Sequence, residues 1–341
     1  MENDGRYSRQ IRFAPIGGEG QRKISNARIT LIGAGALGSV AAELLVRAGV
    51  GFLRIIDRDY VELSNLQRQS MYDEDDVRAN LPKAVAAAGK LSRINSTVEV
   101  EAIIDDVNPA TVEHYIQDVD LVLDALDNFE TRFVLNDACA KHLRPWIYSS
   151  AVGSYGLVMP IVPGKSPCLR CMIGSLPAPG TSPTCDSVGV IGPITHIVAS
   201  MQVAEALKWI TGTGEINDFA LLTYDVWAQR FQRMAPGADL MKTCPVCSEG
   251  RYEYLEGTPL RTVMLCGRNA VQLIPAVKSD LDFTQLSETI GNSGTVEYNE
   301  FLLRCNSPPY ELTLFRDGRA IVKGTEDPSL ARSVYAKLVG T

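Results

Sequence analysis

A glycine pattern near the N-terminus constrains the fold of this chain more than any other feature. A short apolar run, Ile29–Ile32, is followed by Gly33-Ala-Gly35-Ala-Leu-Gly38 and then by the alanine- and leucine-rich segment Ser39–Ala48. In the pattern G-x-G-x-x-G the first glycine makes the turn from strand to helix, the second lets a phosphate approach the backbone, and the third packs the helix against the strand. The N–H groups at the start of such a helix attract an anion. The pattern therefore predicts a strand, a tight turn and a helix, with a nucleotide bound at the turn.

An acidic residue supports this prediction. Asp57 ends a second apolar run, about twenty residues after Gly38, where a carboxylate can accept hydrogen bonds from ribose hydroxyls. The alternative is a glycine turn that is only structural, and it leaves Asp57 without a role. The two features together predict an adenine nucleotide but do not identify which one.

The segment after Asp57 favours ATP over a nicotinamide cofactor. Asn65, Gln67 and Arg68 lie close together in a loop just past a strand end, which is the usual ligand face of an open α/β sheet. The planar guanidinium of an arginine can neutralise a phosphate. A nicotinamide ring needs an apolar wall, and this segment offers amides and a cation instead.

A further acidic residue follows another buried strand. The run Leu121–Asp124 is typical of a parallel strand, so Asp127 is expected just past its carboxyl end, where a carboxylate could hold Mg²⁺ on ATP phosphates. Asp127 could instead, or in addition, cap the helix expected over Phe129–Lys141. Lys83, at the start of another predicted helix, could bring an ammonium group to the same phosphates. Taken alone, Lys83 is better interpreted as a solvated surface lysine.

Two cysteine pairs predict a metal site. The chain has eight cysteines, and four of them form the pairs Cys168-Leu-Arg-Cys171 and Cys244-Pro-Val-Cys247. Two C-x-x-C knuckles can complete a closed tetrahedral zinc site. The long gap between the pairs means that the metal would join distant segments. Four free thiols or a redox pair are the alternatives; redox pairs normally begin a helix in a thioredoxin fold, whereas both pairs here are predicted to lie in loops rich in proline and glycine.

The other cysteines give weaker signals. Cys185 lies in a polar loop and could be either a nucleophile or an ordinary small residue. Cys139 has helical neighbours and is predicted to lie in the core. Cys266 and Cys305 lie in strand-like runs and are interpreted as buried small hydrophobic residues.

Composition limits the class of protein. The chain of 341 residues is 45% hydrophobic and 21% charged, as in ordinary soluble proteins, and its formal net charge is −7. The negative net charge disfavours nucleic acid as a partner, since nucleic-acid binding usually requires a basic surface. The N-terminus lacks the apolar core of a signal peptide. The apolar stretch Ile191–Ile210 contains polar and charged residues and suits a core helix better than a membrane span. These observations predict a cytoplasmic protein without a membrane partner.

The motifs together resemble one family. The combination is the glycine pattern, Ile-Ile-Asp57, Ser-Asn65-Leu-Gln-Arg68-Gln, Leu-Pro-Lys83, Ala-Leu-Asp127-Asn128, the two C-x-x-C pairs and the opening Arg6-Tyr-Ser-Arg9-Gln-Ile. It is similar to the ThiF/MoeB family, the bacterial relatives of ubiquitin-activating enzymes, and the resemblance covers residues 6 to about 250. In that family the arginine that matches Arg9 reaches across a homodimer interface to the ATP phosphates of the other subunit. Without the resemblance, Arg9 would be interpreted as a solvated terminal residue.

The resemblance implies a reaction. It is the ATP-dependent adenylation of the C-terminal Gly-Gly carboxylate of a ubiquitin-like sulfur-carrier protein, ThiS-like or MoaD-like, in thiamine or molybdenum-cofactor biosynthesis. Such a reaction needs in-line positioning and charge neutralisation. The residues expected to act on ATP and Mg²⁺ are Arg9, Gly33, Gly35, Gly38, Asp57, Asn65, Arg68, Lys83, Asp127 and Asn128. In ThiF-type members a cysteine matching Cys185 can form a covalent adduct with the carrier, whereas MoeB-type members do not need it for adenylation.

The expected fold is an α/β protein with a Rossmann-like mixed sheet, helices on both faces and a four-cysteine zinc site, followed by a small C-terminal α+β domain. Residues 1–253 would form the adenylation domain and residues 254–341 the small domain, a layout that resembles ThiF/MoeB proteins of the Bacillus type. The extension contains the strand-like runs Arg261–Leu265 and Glu311–Phe315, a hairpin turn at Asp317-Gly318 and a final helix opening at Asp327-Pro328. No rhodanese domain follows the zinc site, so a separate sulfur donor such as a cysteine desulfurase is expected.

Two alternatives remain open from the sequence. A nicotinamide-dependent oxidoreductase shares the glycine pattern but leaves Arg68, Lys83 and Asp127 unexplained. A tRNA-modifying member of the same superfamily would use ATP as well, but its RNA partner would favour a basic surface. The motifs do not distinguish a thiamine carrier from a molybdopterin carrier.

Overall fold

The computed structural model describes most of the chain and divides it into two compact units. The described residues are 5–175, 188–212, 219–256, 262–265, 269–274, 281–290 and 294–339. The first unit contains residues 5–77, 81–175, 188–212 and 219–256, and the second contains residues 78–80 and the described residues from 262 onward. Cys185 and Cys266 lie outside the described residues, so the interpretations given for them stay predictions.

Strands and helices alternate through the first half of the chain, as its apolar runs predict. The strands before residue 257 are β1 (Arg28–Ile32), β2 (Phe52–Ile56), β3 (Glu99–Ile103), β4 (Leu121–Asp124), β5 (Trp146–Val152), β6 (Tyr155–Ile161), β7 (Leu221–Asp225) and β8 (Arg230–Met234). The helices are α1 (Ser8–Arg12), α2 (Gly17–Asn26), α3 (Gly38–Ala48), α4 (Glu74–Arg78), α5 (Lys83–Ile94), α6 (Val112–Ile116), α7 (Phe129–Lys141), α8 (Leu169–Ile173), α9 (Gly192–Thr211), α10 (Pro245–Glu249) and α11 (Glu253–Glu256).

The first unit contains an eight-stranded sheet in the order β3-β2-β1-β4-β5-β6-β7-β8. The strands from β3 to β5 pair in parallel, and those from β5 to β8 pair antiparallel. The strand order reverses between β1 and β4, which is where open α/β sheets bind ligands. Ile32 pairs there with Ile56 on one side and Asp124 on the other. The residues that follow these three strands therefore meet at one edge, and the predicted mixed sheet is confirmed.

Helices cover both faces of the parallel part of the sheet. Because side chains alternate along a strand, β1 contributes to two cores. Ile29 and Leu31 pack on one face with buried residues of α3, α5 and α9, whereas Ile32 packs on the other face with buried residues of α6 and α7. This arrangement and the predicted core helix, α9, are both confirmed. No helix in the described part of the chain combines the length and the apolar character needed to span a bilayer.

Strand β8 forms one edge of the large sheet and is exposed along its whole length. Its side chains Phe231 and Met234 are 56% and 47% exposed, and Trp227, in the hairpin that leads into β8, is 82% exposed. The position of β8 therefore depends on its hydrogen-bond ladder with β7.

The second unit is a small α+β structure built on an antiparallel sheet, as predicted. Its elements are β9 (Thr262–Leu265), β10 (Ala270–Leu273), α12 (Phe283–Ile290), β11 (Thr295–Tyr298), β12 (Leu302–Ser307), β13 (Tyr310–Phe315), β14 (Ala320–Lys323) and α13 (Pro328–Val339). The sheet order is β11-β12-β13-β14-β10-β9. Gly318, with a φ of 87°, lies in the predicted hairpin turn between β13 and β14, and α13 begins at Pro328. Phe283 of α12 and Ala331 of α13 pack into the core on one face of this sheet.

Candidate functional site

The glycine loop, defined as Gly33–Gly38, lies between β1 and α3 at the carboxyl edge of the sheet. Gly33 has a φ of 97°, and a Cβ there would lie 2.5 Å from the carbonyl oxygen of Ala125. A Cβ on Gly38 would overlap the carbonyl oxygen of Gly33. At Gly35 the nearest atom to an added Cβ would be Nε2 of Gln69, at 3.8 Å. Close contacts with protein atoms thus exclude any side chain at Gly33 and Gly38, whereas the space at Gly35 is open to a ligand.

Two side chains hold the backbone of the glycine loop from opposite sides of Ala34. Asp57 accepts a hydrogen bond from the Ala34 N–H through Oδ2 at 2.6 Å, and from the Asp59 N–H through Oδ1 at 2.7 Å. The hydroxyl of Tyr72 donates to the Ala34 carbonyl oxygen at 2.7 Å. Burial raises the pKa of Asp57, an effect that nearby Lys83 opposes. Asp57 therefore shapes the loop, a function that the sequence argument did not assign to it.

The segment between β2 and α5 folds back toward the glycine loop. Asn65 is buried, and its Oδ1 accepts a hydrogen bond from the Glu62 N–H at 3.1 Å, which closes a short 3-10 turn over Leu63–Asn65. Arg68 is half-buried and its Nη1 donates to the Ser64 carbonyl oxygen at 3.0 Å. The side chain of Asn65 thus contributes to the turn that carries Arg68.

Lys83 is not a surface lysine. It begins α5, as predicted, but it is only 3% exposed, and its Nζ lies 3.0 Å from Oδ2 of Asp59. The interpretation of Lys83 as a solvated residue is therefore wrong. A buried ammonium persists because an acidic partner compensates for the lost hydration. The start of α5 lies beside the glycine loop, because the Tyr72 hydroxyl that contacts Ala34 also lies 3.1 Å from the carbonyl oxygen of Lys83.

After β4, the helix-capping role that was considered for Asp127 belongs to its neighbour Asn128. Asn128, and not Asp127, caps α7, since its side-chain oxygen accepts from the Thr131 N–H at 2.9 Å. The interpretation of Asp127 as the cap is wrong, because α7 begins at Phe129, as expected, and the residue at its N-cap position is Asn128. Asp127 is exposed, and its charge acts on Arg58 and Arg132. Asp127 thus lies among cations at the carboxyl end of β4.

A buried ion pair holds the turn that precedes Asp127. Nε of Arg132 lies 2.9 Å from Oδ2 of Asp124, and the two side chains are 4% and 0% exposed. Nη2 of Arg132 donates to the carbonyl oxygens of Leu126 and Ser149 at 2.5 and 2.8 Å. Helix α7 is therefore joined to the end of β4, and Asp127, the proposed metal ligand, follows that strand end.

Arg9 lies exposed on the short N-terminal helix α1. The helix itself is fixed to the first unit: Tyr7 is buried and its hydroxyl accepts a hydrogen bond from Asn95 at 2.8 Å, and Nε2 of Gln10 donates to the Ala48 carbonyl oxygen at 2.9 Å. Arg9 is thus an exposed cation on an anchored helix.

The four paired cysteines come together in one cluster. Sγ of Cys168 lies 3.8 Å from Sγ of Cys171 and 3.7 Å from Sγ of Cys244, and the Cys171–Cys247 distance is 3.6 Å. All four sulfur atoms lie within 4.8 Å of one another. A tetrahedral Zn²⁺ with Zn–S bonds of about 2.3 Å would separate its sulfur ligands by about 3.8 Å. The donor set and its spacing therefore fit zinc, and the cluster contains cysteine alone, as predicted.

The cysteine pairs begin short helices, which corrects the prediction that both lie in loops. Cys168 precedes α8 and Cys244 precedes α10. A backbone N–H in the first of these helices, that of Leu169, donates to Oδ1 of Asn136 in α7 at 2.9 Å. The cluster is thus attached to one face of the sheet. Cys139 is buried in α7 and Cys305 in β12, as predicted.

The model of one protein family, described as the ThiF family, matches residues 7–246. The chain belongs to the ThiF family. The sulfur carrier protein ThiS adenylyltransferase of Bacillus subtilis is 44% identical over 338 residues, covering 98% of this chain and 99% of that protein. The SAMP-activating enzyme E1 of Haloferax volcanii is 38% identical over 251 residues, covering 74% of this chain and 91% of that protein.

Solved structures share the fold over most of the chain, as one example shows. The crystal structure of E. coli MccB with ATP is similar to this ThiF-family chain with a TM-score of 0.60 and 25% identity, covering 71% of this chain and 74% of that chain. The family predicted from the motifs is confirmed. The predicted enzyme class, an adenylyltransferase that acts on a sulfur-carrier protein, agrees with the name of the Bacillus relative.

Sequence reasoning missed two residues of this ThiF-family site. Tyr72 contacts the glycine loop from more than thirty positions away in the chain, and no spacing rule connects them. Arg132 follows the buried Asp124 in a helix that begins near it. Asp124 is the sequence signal that could have identified Arg132. A buried acidic residue at the end of an apolar strand needs a buried cation as its partner.

Proposed function

We propose that this protein uses ATP to adenylate the C-terminal carboxylate of a ubiquitin-like sulfur-carrier protein. The observation that carries the proposal is the glycine loop, in which Gly33 and Gly38 are required by protein atoms while Gly35 is left open. The relationship to named adenylyltransferases supports a nucleotide over other anions at that opening.

Each residue of the site has a proposed role. Asp57 fixes the ribose through the lone pairs that its two backbone bonds leave available, and Asn65 and Asn128 hold the segments that carry Arg68 and Asp127. Arg68, Lys83 and Arg9 neutralise the phosphates. Asp127 is the proposed ligand of Mg²⁺, which when bound would supply further positive charge to the phosphates.

The proposed reaction forms a mixed anhydride. An oxygen of the carrier carboxylate bonds to the α-phosphorus of ATP while the bond from that phosphorus to the pyrophosphate oxygen breaks, and pyrophosphate leaves. A persulfide sulfur from a separate donor, such as a cysteine desulfurase, later displaces AMP and forms an acyl disulfide with the carrier. A second thiol then reduces the S–S bond of that adduct, forms a disulfide with the donor cysteine, and leaves a thiocarboxylate on the carrier. Acid–base chemistry contributes little to the first step, so in-line positioning and charge neutralisation dominate.

A ThiS-like carrier is the first choice. The Bacillus relative, which is named for ThiS, matches both the first unit and the C-terminal extension, because the alignment covers 98% of this chain. A MoaD-like carrier is the second choice, since the site residues alone suit either. We also propose that the two compact units act as separate domains, with helix α11 in the first unit. The protein works as a homodimer, and zinc in the four-cysteine cluster is structural.

The test is ATP–pyrophosphate exchange with ThiS-like and MoaD-like carriers offered separately, each also without its final glycine. We expect exchange that requires the complete Gly-Gly end and is faster with the ThiS-like carrier. Asp127→Ala should lower the exchange rate at least about 100-fold, because it removes several kcal/mol of charge stabilisation. Asp239→Ala serves as the control, since its side chain is 90% exposed and lies outside the site.

Two outcomes would contradict the proposal. An ATP–pyrophosphate exchange rate in Asp127→Ala equal to that of the wild type would show that Asp127 is not part of the ATP site. The absence of exchange with either carrier, in wild-type protein that still binds ATP, would reject the carrier as the substrate and would direct the search to tRNA.

A further inference from the structure

Gln69 is a buried polar residue beside the glycine loop to which the site described above gives no role. It is 3% exposed. Its backbone is fixed by two hydrogen bonds, from its own N–H to the Asn65 carbonyl oxygen at 3.0 Å and from the Tyr72 N–H to its carbonyl oxygen at 3.1 Å. Nε2 of its side chain lies 3.8 Å from the position that a Cβ on Gly35 would occupy. The amide therefore faces the one glycine of the loop that protein atoms leave open.

The side-chain oxygen of Gln69 has no hydrogen-bond partner among the described residues. Such atoms are rare, because most buried polar groups in folded proteins are paired, and an unpaired one disfavours the fold. In the same part of the chain, Gln202 also has an unpaired side-chain oxygen, but its nitrogen donates to the carbonyl oxygens of Asp124 and Ile147 at 2.8 and 3.0 Å. Gln202 thus joins two strands, whereas the amide of Gln69 faces the opening at Gly35.

A phosphate suits this amide. A carboxamide presents one donor end and one acceptor end, and its orientation is set by the groups that it meets. Phosphate oxygens only accept hydrogen bonds, so a phosphate at Gly35 would pair with Nε2, the end of the amide that already faces the loop. The unpaired oxygen is not satisfied by the phosphate; it shows that the protein does not hold that end of the amide. A hydrogen bond to a charged acceptor is stronger than one between neutral groups.

We propose that the side-chain amide of Gln69 is a nucleotide-binding group that donates a hydrogen bond to an ATP phosphate held at Gly35. This inference rests on the proposed function only in assuming that ATP is the ligand of the glycine loop. It does not depend on which carrier is adenylated. Gln69 would thereby link the segment that carries Arg68 to the phosphate that Arg68 neutralises.

The experiment measures ATP binding to the full-length protein by isothermal titration calorimetry, with Mg²⁺ present and no carrier. Gln69→Leu removes the amide at similar size, and Gln69→Glu keeps the shape but replaces the donor with a carboxylate. Gln272→Leu is the control, because Gln272 is 1% exposed and both of its side-chain polar atoms are unpaired within the described ranges, yet it lies in β10 of the second unit. Thermal unfolding of each variant is recorded without ATP.

We expect Gln69→Leu to raise the Kd for ATP about tenfold or more. Gln69→Glu should raise it further, because a carboxylate repels phosphate. The melting temperature of Gln69→Leu without ATP should equal or exceed that of the wild type, because a buried side-chain oxygen without a hydrogen-bond partner is removed. Gln272→Leu should bind ATP like the wild type. In the exchange assay, Gln69→Leu should raise the KM for ATP more than it lowers kcat.

Kd values for both Gln69 variants within twofold of the wild type would overturn the proposal. Loss of the fold in both variants without ATP would overturn it too, because the protein itself would then need the amide. Wild-type protein that binds no ATP would reject the nucleotide site altogether. Wild-type protein that binds ATP but fails to exchange pyrophosphate would reject the carrier proposal and leave the Gln69 result standing.

Discussion

Individual residues at the carboxyl edge of the sheet prepare the glycine loop before any ligand arrives. Asp57 holds the N–H of Ala34 and Tyr72 holds its carbonyl oxygen. The loop therefore does not have to be ordered by the nucleotide, and less conformational entropy is lost on binding. Lys83, buried against Asp59, adds positive charge at a fixed position instead of on a flexible surface chain.

Gly38 and Gly35 should respond differently to alanine. Gly38→Ala forces a methyl group into the Gly33 carbonyl oxygen and should destabilise the protein by about 1–3 kcal/mol. Gly35→Ala meets no close protein atom, so it should leave the melting temperature near that of the wild type while it weakens ATP binding about tenfold. Thermal unfolding without ATP and calorimetric titration with ATP separate the two effects. Equal losses of stability in both variants would contradict the assignment of Gly35 to the ligand.

At the scale of secondary-structure elements, polar pairs connect helix α7 to its neighbours in the first unit. Arg132 ties α7 to the end of β4, and Asn136 ties α7 to the helix that follows Cys168. Helix α7 thus stands between the carboxyl edge of the sheet and the cysteine cluster. The same helix positions the turn that carries Asp127.

Zinc bound at the cysteine cluster, as proposed above, should stabilise these connections. Cys168→Ala should lower both the zinc content and the melting temperature, because a closed site of four cysteine ligands contributes directly to folding. Cys139→Ala is a matched control, since Cys139 is buried in α7 and lies outside the cluster; it should lose stability without losing metal. Metal content by mass spectrometry and thermal unfolding are the measurements. A wild-type protein that is fully stable and free of metal would refute the structural role.

Strand β2 contains a charged residue whose pairing should make stability depend on pH. Arg54 is 8% exposed, and its Nη1 lies 2.7 Å from Oδ1 of Asp118. This hydrogen bond lowers the pKa of Asp118 from 3.8 to about 2. The stabilisation is thus complete above about pH 4 and is lost as the pH falls toward 2.

Asp118→Asn should therefore lower the free energy of unfolding at pH 7 by about 1 kcal/mol, a value reduced for the partial exposure of the carboxylate. The gap in melting temperature between variant and wild type should be smaller at pH 3 than at pH 7. Asp239→Asn, in an exposed pair with Lys242, should show no such gap. A gap at pH 3 as large as that at pH 7 would contradict the assigned pairing.

Local patterns predicted most elements of the fold, whereas pairs across the structure escaped prediction. The glycine pattern and the apolar runs were enough for β1, α3, α7 and the core helix α9, since periodicity and turn chemistry act over a few residues. The burial of Lys83 and the contact of Tyr72 with the loop depend on how the segment after β2 folds back. That path is set by tertiary packing, which no local spacing encodes. The clustering of the four cysteines was predicted because cysteine chemistry restricts its partners so strongly.

At the scale of the whole molecule, the position of Arg9 bears on whether two copies of the chain form each ATP site together. Its helix is anchored while its own side chain is exposed, which suits a cation that acts outside its own subunit. A C₂ dimer would place the same residue of each subunit in the site of the other.

Mixing two inactive variants should restore activity if Arg9 acts on the partner subunit. A heterodimer of Arg9→Ala and Asp127→Ala would contain one site with both residues intact and one with neither. After subunit exchange in equal amounts, about a quarter of the wild-type pyrophosphate exchange should return. Each variant alone should stay inactive, and mixing either with itself is the control. No recovery, with heterodimers verified by mass spectrometry, would place Arg9 in its own subunit's site.

Strand β8 has a consequence for the dynamics of the sheet. Its side chains are exposed on both faces and it pairs with β7, so little buried apolar surface opposes its detachment. Local opening of such an edge requires far less free energy than opening of the buried strands β1 and β4. Amide protons of Arg230–Met234 should therefore exchange with deuterium long before those of Arg28–Ile32, and the order in which the sheet loses its protons should run from this edge inward.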